Sequence, residues 1–172
     1  MACPAAAAGG AVVLLLGTLQ WKPPPVLVWN ASASSPIGLY AVGPGALRVG
    51  DMAVAWPPPS ARRLAGSRHY LPASVPLVKR VAAVAGHRVC AQGRIVSVDG
   101  RPSAFRRPRD PSGRRLPWWS GCHRLQPGQA FLLSGVGPTA FDGRYFGVSA
   151  PGEIVGRATL LWASPRKARN HG

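Results

Sequence analysis

The chain has 172 residues, 47% of them hydrophobic and six of them tryptophan, enough apolar mass for one folded domain with a short appendage, which excludes disorder along the whole length. Its formal charge of +16 at pH 7 rests on arginine, since lysine occurs only at Lys22, Lys79 and Lys167 and acids only at Asp51, Asp99, Asp110, Asp142 and Glu153. Such a balance attracts any polyanion without choosing between nucleic acid and an anionic membrane surface, and a general bias toward Ala, Gly, Pro and Arg explains part of it equally well.

Residues 5–21 carry no charge and are just long enough, at about 1.5 Å per helical residue, to approach the span of a bilayer core. Residues 1–22 are therefore read as a membrane anchor in one hydrophobic helix. A cleaved signal segment is the second reading, and the lack of any cation in Met1 to Pro4 counts against it. Lys22-Pro23-Pro24-Pro25 ends the helix, and residues 23–29 form a Pro-rich connection. A domain follows over 30–163, and 164–172 is a basic tail.

The domain opens with N-A-S-A-S-S-P-I-G-L-Y at 30–40, where Pro36 and Gly38 supply a fixed and a permissive backbone angle. Two readings stand for its serines: a rigid turn displaying a hydroxyl, or a flexible linker after the apolar segment. Beyond it, proline and glycine recur too often for long helices. Residues 47–56, 77–84, 94–98 and 130–133 read as strands, and Asp99-Gly100 as a tight hairpin turn. The sum is a mainly β fold with long loops. One of them, the arginine-rich stretch 101–117, is expected to be exposed and mobile. Its arginines lack the aromatic interleaving of a nucleic-acid groove, so no specific nucleic acid is expected as a partner.

The candidate chemistry is narrow. No CxxC pair and no histidine at ligand spacing is present, so no metal is expected, and no Gly-rich phosphate loop or other cofactor motif appears. The acids are too scattered for a carboxylate pair, and His69, His87, His123 and His171 lie in unconstrained settings. Cys90 and Cys122 either close a loop of about 30 residues in an oxidising compartment or stay separate thiols in a reducing one. Lys79 stands out in the apolar run L-V-K-R-V-A-A-V. Burial disfavours its charged form, and a neutral lysine is a general base. The period of two puts Lys79 and Arg80 on opposite faces, so only one of them needs to reach water, and which one is open at this level.

Four boxes, S-x-P-x-G-L-Y (34–40), V-G-D (49–51), V-K-R-V-A-A-V-A-G-H-R-V (78–89) and F-D-G-R-Y-F-G (141–147), together resemble the type I signal peptidases, in particular their conjugative-transfer, TraF-like branch. The resemblance implies a serine/lysine peptidase on a signal-peptidase-like β scaffold, anchored in the inner membrane with its catalytic domain on the periplasmic or outer side. Its partners would be membrane lipid, secreted or pilin precursor polypeptides, and other conjugation or secretion components. Residue by residue, Ser34 matches the nucleophile, with Ser35 a weaker candidate, and Lys79 the general base. Ser32 matches the oxyanion-stabilising hydroxyl, and Asp142 and Arg144 match a pair that braces the site. A periplasmic location implies a Cys90–Cys122 disulfide, and tryptophans such as Trp118 and Trp119 would dip into the lipid interface. One position departs from the pattern: Ala140 stands where the family carries a lysine-orienting serine, with Thr139 and Ser134 as the nearby hydroxyls. A non-catalytic envelope component is the alternative function, and a basic nucleic-acid binder a third.

Overall fold

The computed structural model describes residues 26–134 and 140–164. The anchor read at 1–22, the start of the Pro-rich connection, Thr139 and all but the first residue of the basic tail lie outside them. Among the described residues, no helix is long and apolar enough to cross a membrane.

Strand β1 (Leu27–Asn30) alternates outward Leu27 and Trp29 with inward Val28 and Asn30. A serine-bearing turn links it to β2 (Gly38–Gly43) in an antiparallel hairpin. Strand β3 (Met52–Ala55) is shorter than the strand read at 47–56. The Asp51 carboxylate accepts the Arg48 backbone N–H at 2.9 Å and Gly50 takes φ 95°, so a turn replaces the first half of that run.

Pro57 to Pro59 then stop the sheet and start a helix, α1 (Pro59–Ser67), that the sequence analysis did not anticipate. A proline in the first helical turn costs nothing, because the N–H it lacks has no intrahelical partner there. Ala61 and Ala65, one turn apart, are its buried stripe.

Strand β4 (Leu77–Val84) matches its predicted span. The four short strands β5 (Arg88–Gln92), β6 (Ile95–Val98), β7 (Arg101–Phe105) and β8 (Gly121–Arg124) make a separate sheet in the order β7-β6-β5-β8. Asp99 (φ 49°) and Gly100 (φ 79°) both take positive φ between β6 and β7, as a type I′ hairpin demands. Cys90 and Cys122, directly paired across β5 and β8, form a disulfide. Strand β9 (Ala130–Leu133), helix α2 (Gly143–Phe146) and the long β10 (Ile154–Ala163) complete the chain. The larger sheet runs β1-β2-β10-β3-β4-β9, every pairing antiparallel.

Apolar side chains cover both faces of the larger sheet. Val28, Tyr40, Val54, Val78 and Ala158 cluster on one, and Ala53, Ala55, Val81 and Leu132 on the other. Phe131 and Leu133 join Val89 and Val96 where the two sheets meet.

The arginine-rich stretch is largely exposed, as expected, but two of its charged residues are buried and tie it to the rest of the fold. Arg106 is 1% exposed, its guanidinium 4.5 Å from the centre of the Trp118 ring and bonded to the carbonyls of Gly93 and Trp119. Asp110 is buried as well, accepting the Tyr70 hydroxyl, the Arg114 N–H at 2.8 Å and the Arg114 Nε at 2.7 Å. A planar guanidinium stacks and donates at the same time, so arginine can be pinned between tryptophans where lysine could not. Trp119 is half-buried, donating its indole N–H to the Gly143 carbonyl at 3.0 Å, and so packs against the protein rather than dipping outward.

Candidate active site

Asn30 ends β1 facing inward, and its side chain organises the turn that follows. Its Nδ2 donates to the carbonyls of Ser32 (3.0 Å), Ser35 (3.3 Å) and Pro36 (2.9 Å), while its Oδ1 accepts the Ser32 N–H at 3.1 Å. From below, the buried Tyr40 donates its hydroxyl to the Pro36 carbonyl at 2.8 Å. The run is a fixed turn and not a flexible linker. Asparagine at its head was the available signal, since short amides bond their own backbone two residues on. Gly38 takes φ 159°, the permissive angle expected of it, and a Cβ there would also collide with the Trp162 carbonyl of β10.

Lys79 arrives from β4. It is 3% exposed, paired across the sheet with Ala53, while Arg80 turns out to solvent and donates to the Gly50 carbonyl. The Lys79 Nζ donates to the Ser34 Oγ at 2.6 Å. Burial pulls its ammonium down to about 8, Asp142 opposing that pull and Arg144 adding to it. The half-buried Ser34 has its Oγ 2.8 Å from the Ser32 Oγ, and its backbone N–H points at the same Ser32 oxygen at 3.3 Å. Ser35 is occupied elsewhere, donating to the Val78 carbonyl at 2.8 Å.

Asp142 and Arg144 form a buried ion pair at 2.8 Å. Asp142 also caps α2, accepting the Arg144 N–H at 3.1 Å, and takes the Ser134 N–H at 2.7 Å, which ties α2 to the end of β9. Gly143 permits this closeness, because a Cβ there would lie 2.7 Å from the Leu132 carbonyl oxygen. Ala140 is buried and lines the cleft beside Lys79. The Ser134 hydroxyl is buried with no hydrogen-bond partner among the described residues. Of the histidines, His87 pairs with Asp99 at 2.6 Å in the smaller sheet and lies outside the cleft lining. No cluster that could hold a metal ion occurs among the described residues.

Ser34 and Lys79 open into a cleft of about 1100 Å³. It is lined by the serine turn, by the start of β4, and by part of the arginine-rich stretch with Tyr70 and Phe141. An amine that titrates near neutrality against one hydroxyl, with a second hydroxyl and an N–H beside it, can move a proton and stabilise a developing oxyanion.

Residues 3–163 match the family described as signal peptidase, peptidase S26. The chain is similar to the plasmid transfer protein TraF of Escherichia coli, with 32% identity over 166 residues, 90% of this chain and 92% of that protein. It is also similar to a probable conjugal transfer protein TraF of Sinorhizobium fredii (strain NBRC 101917 / NGR234), with 37% identity over 142 residues, 75% and 73% of the two chains. A solved signal peptidase I of Enterococcus faecalis V583 aligns with TM-score 0.39 and 14% identity over 68% of this chain and 100% of that one, too remote to bear on the assignment. The match over nearly the whole chain and the two transfer-protein relatives agree, and the chain belongs to the peptidase S26 family of signal peptidases, among its TraF-like members.

Proposed function

We propose that the protein is a membrane-anchored serine endopeptidase that cuts signal-peptide-like or pilin-precursor polypeptides after small residues, with Ser34 as nucleophile and Lys79 as general base. The observation that carries this reading is the 2.6 Å contact between a buried lysine Nζ and the oxygen of a serine held on a braced turn. Neutral Lys79 takes the Ser34 proton as the oxygen attacks the substrate carbonyl. The Ser32 hydroxyl and the Ser34 N–H hold the resulting oxyanion. Lys79 then returns the proton to the departing amine, leaving an ester on Ser34. Water, deprotonated in turn by Lys79, completes hydrolysis. If the substrate's own amino end attacks the ester first, a cyclic peptide leaves instead.

Two observations support the setting. Val26, Leu27, Trp29, Leu161 and Trp162 are exposed apolar side chains on β1, just before it and on β10, with the two indoles stacked 5.6 Å apart, close in sequence to the serine turn. Tryptophan on such a surface suits a lipid interface. The disulfide suits an oxidising compartment, in keeping with a periplasmic domain. One observation favours the second reading, a non-catalytic envelope component: Ala140 carries no hydroxyl to orient the lysine.

Treatment with a serine-directed acylating inhibitor, followed by peptide mass mapping, separates the two. Labelling that maps to Ser34 and disappears in Lys79→Ala supports the enzyme. A silent wild type defeats it. Mass measurement of pilin-type precursors after co-expression then distinguishes cyclisation, which leaves a product one water lighter than the linear trimmed form.

A further inference from the structure

The cleft that Ser34 and Lys79 share is also lined by Arg68, Arg107, Arg109 and Arg114, against Asp110 as the one carboxylate among the described lining residues. Asp110 is already saturated: one oxygen takes the Arg114 N–H, the other takes the Tyr70 hydroxyl and the Arg114 Nε, and Arg68 lies 3.8 Å away. Two cations remain. Arg107 and Arg109 are exposed, and neither meets a carboxylate among the described residues; Arg109 has only the Gly113 carbonyl, at 2.6 Å.

These two arginines do not hang on a loose loop. The Arg107 backbone is clamped from both sides, its N–H donating to the Tyr145 hydroxyl and its carbonyl accepting the Trp118 indole N–H, each at 3.1 Å. Arg109 bridges to Arg115 across the stretch, and the neighbouring Arg106 is buried between tryptophans. A held backbone with two unneutralised guanidinium groups lining a cleft suits a carboxylate, because the backbone share of the ordering cost is met in folding and not in binding.

Resting on the peptidase reading, we propose that Arg107 and Arg109 select polypeptides that carry a carboxylate in the stretch lying in this cleft. The carboxylate can be an acidic side chain or a free chain end. Both offer the same planar pair of acceptors to a guanidinium fork.

The test uses the full-length Ser34→Ala chain in detergent, so that binding is read without turnover, and fluorescent peptides that differ only in Glu, Gln or Lys beside an alanine. The Glu peptide should bind about tenfold tighter than the Gln peptide, the effect of one charge-assisted contact. That preference should vanish in Arg107→Gln/Arg109→Gln and persist in Arg88→Gln/Arg124→Gln, two exposed arginines outside the cleft. Arg109→Glu should turn the preference toward the Lys peptide. Amidated against free-ended Gln peptides separate a terminal carboxylate from a side-chain one. Equal binding of all peptides overturns the proposal, as does an equal loss in both double variants, which would mark a general charge effect. Inhibitor labelling of Ser34 in the wild type is scored separately, so a peptidase without acid preference and a protein that is no peptidase give different results.

Discussion

Burial makes a proton on Lys79 costly to keep, and under the proposed function that same proton would block the base. With its ammonium drawn down to about 8 by burial, labelling of Ser34 by an acylating inhibitor should rise about tenfold per pH unit below that value and level off above it. Stability moves the same way. Between about 8 and the ordinary 10.5 the unfolded chain binds a proton that the folded chain does not, so unfolding free energy rises with pH across that window, by roughly 3 kcal/mol in all. Lys79→Met should be unreactive, lack this slope, and at pH 7 be at least as stable as the wild type in denaturant unfolding. An identical slope in the variant would mean that the amine is hydrated.

Asn30 is the second decisive residue. Asn30→Ala removes one acceptor and the donor to three carbonyls in a buried setting, and should cost about 1–3 kcal/mol and slow Ser34 labelling more than the stability loss explains. Asn30→Asp keeps the shape without the donor and should not rescue it. At the lysine's other side, the register one step beyond the Arg80–Leu133 pair sets Ser134 across from Lys79. The Ser134 hydroxyl bonds nothing among the described residues, so Ser134→Ala should leave labelling little changed, whereas Ala140→Ser should speed it; kinact and KI measured separately decide this.

Among the elements, the arginine-rich stretch is exposed as its composition suggests, and what composition does not show is how it is tied down. Its proline, glycine and charge content matches that of disordered segments, but Arg106 finds two indoles and Asp110 finds Tyr70, partners distant in the chain and invisible to local composition. Burial opposes the ionised form of Asp110, yet hydrogen bonds from Tyr70 and Arg114 prevail and hold it down to about 2. Its contribution to stability is complete above the ordinary carboxylate range and is lost as pH falls toward 2. Asp110→Asn should release the stretch at pH 7, seen as new cleavage within residues 106–119 under limited proteolysis while β4 and β9 stay protected. Those two strands were legible because their continuous apolar runs need no distant partner to explain them. Strand β10 was not, since its outward residues Leu160, Leu161 and Trp162 break the expected alternation.

At the level of the whole molecule, the serine and lysine boxes were readable from their order along the chain, and the distance between them was not. Forty-five positions separate Ser34 from Lys79, and they meet because a turn braced on β1 and β2 comes to rest over β4. The disulfide adds its own constraint on the smaller sheet. Cys90→Ser with Cys122→Ser, at a separation of 32 residues, should cost roughly 3–4 kcal/mol by loop-closure entropy and lower the thermal midpoint without moving the Lys79 titration. A parallel change in both would tie the two sheets together more tightly than their separate hydrogen bonding suggests.

The serine turn lies between the edge strand β1 and β2, tied by Asn30 at its head and by Tyr40 beyond its end, both of which hold the Pro36 carbonyl. Anything that unzips β1 from β2 would slacken both knots together, so Ser34 keeps its place only while that outermost hairpin stays shut.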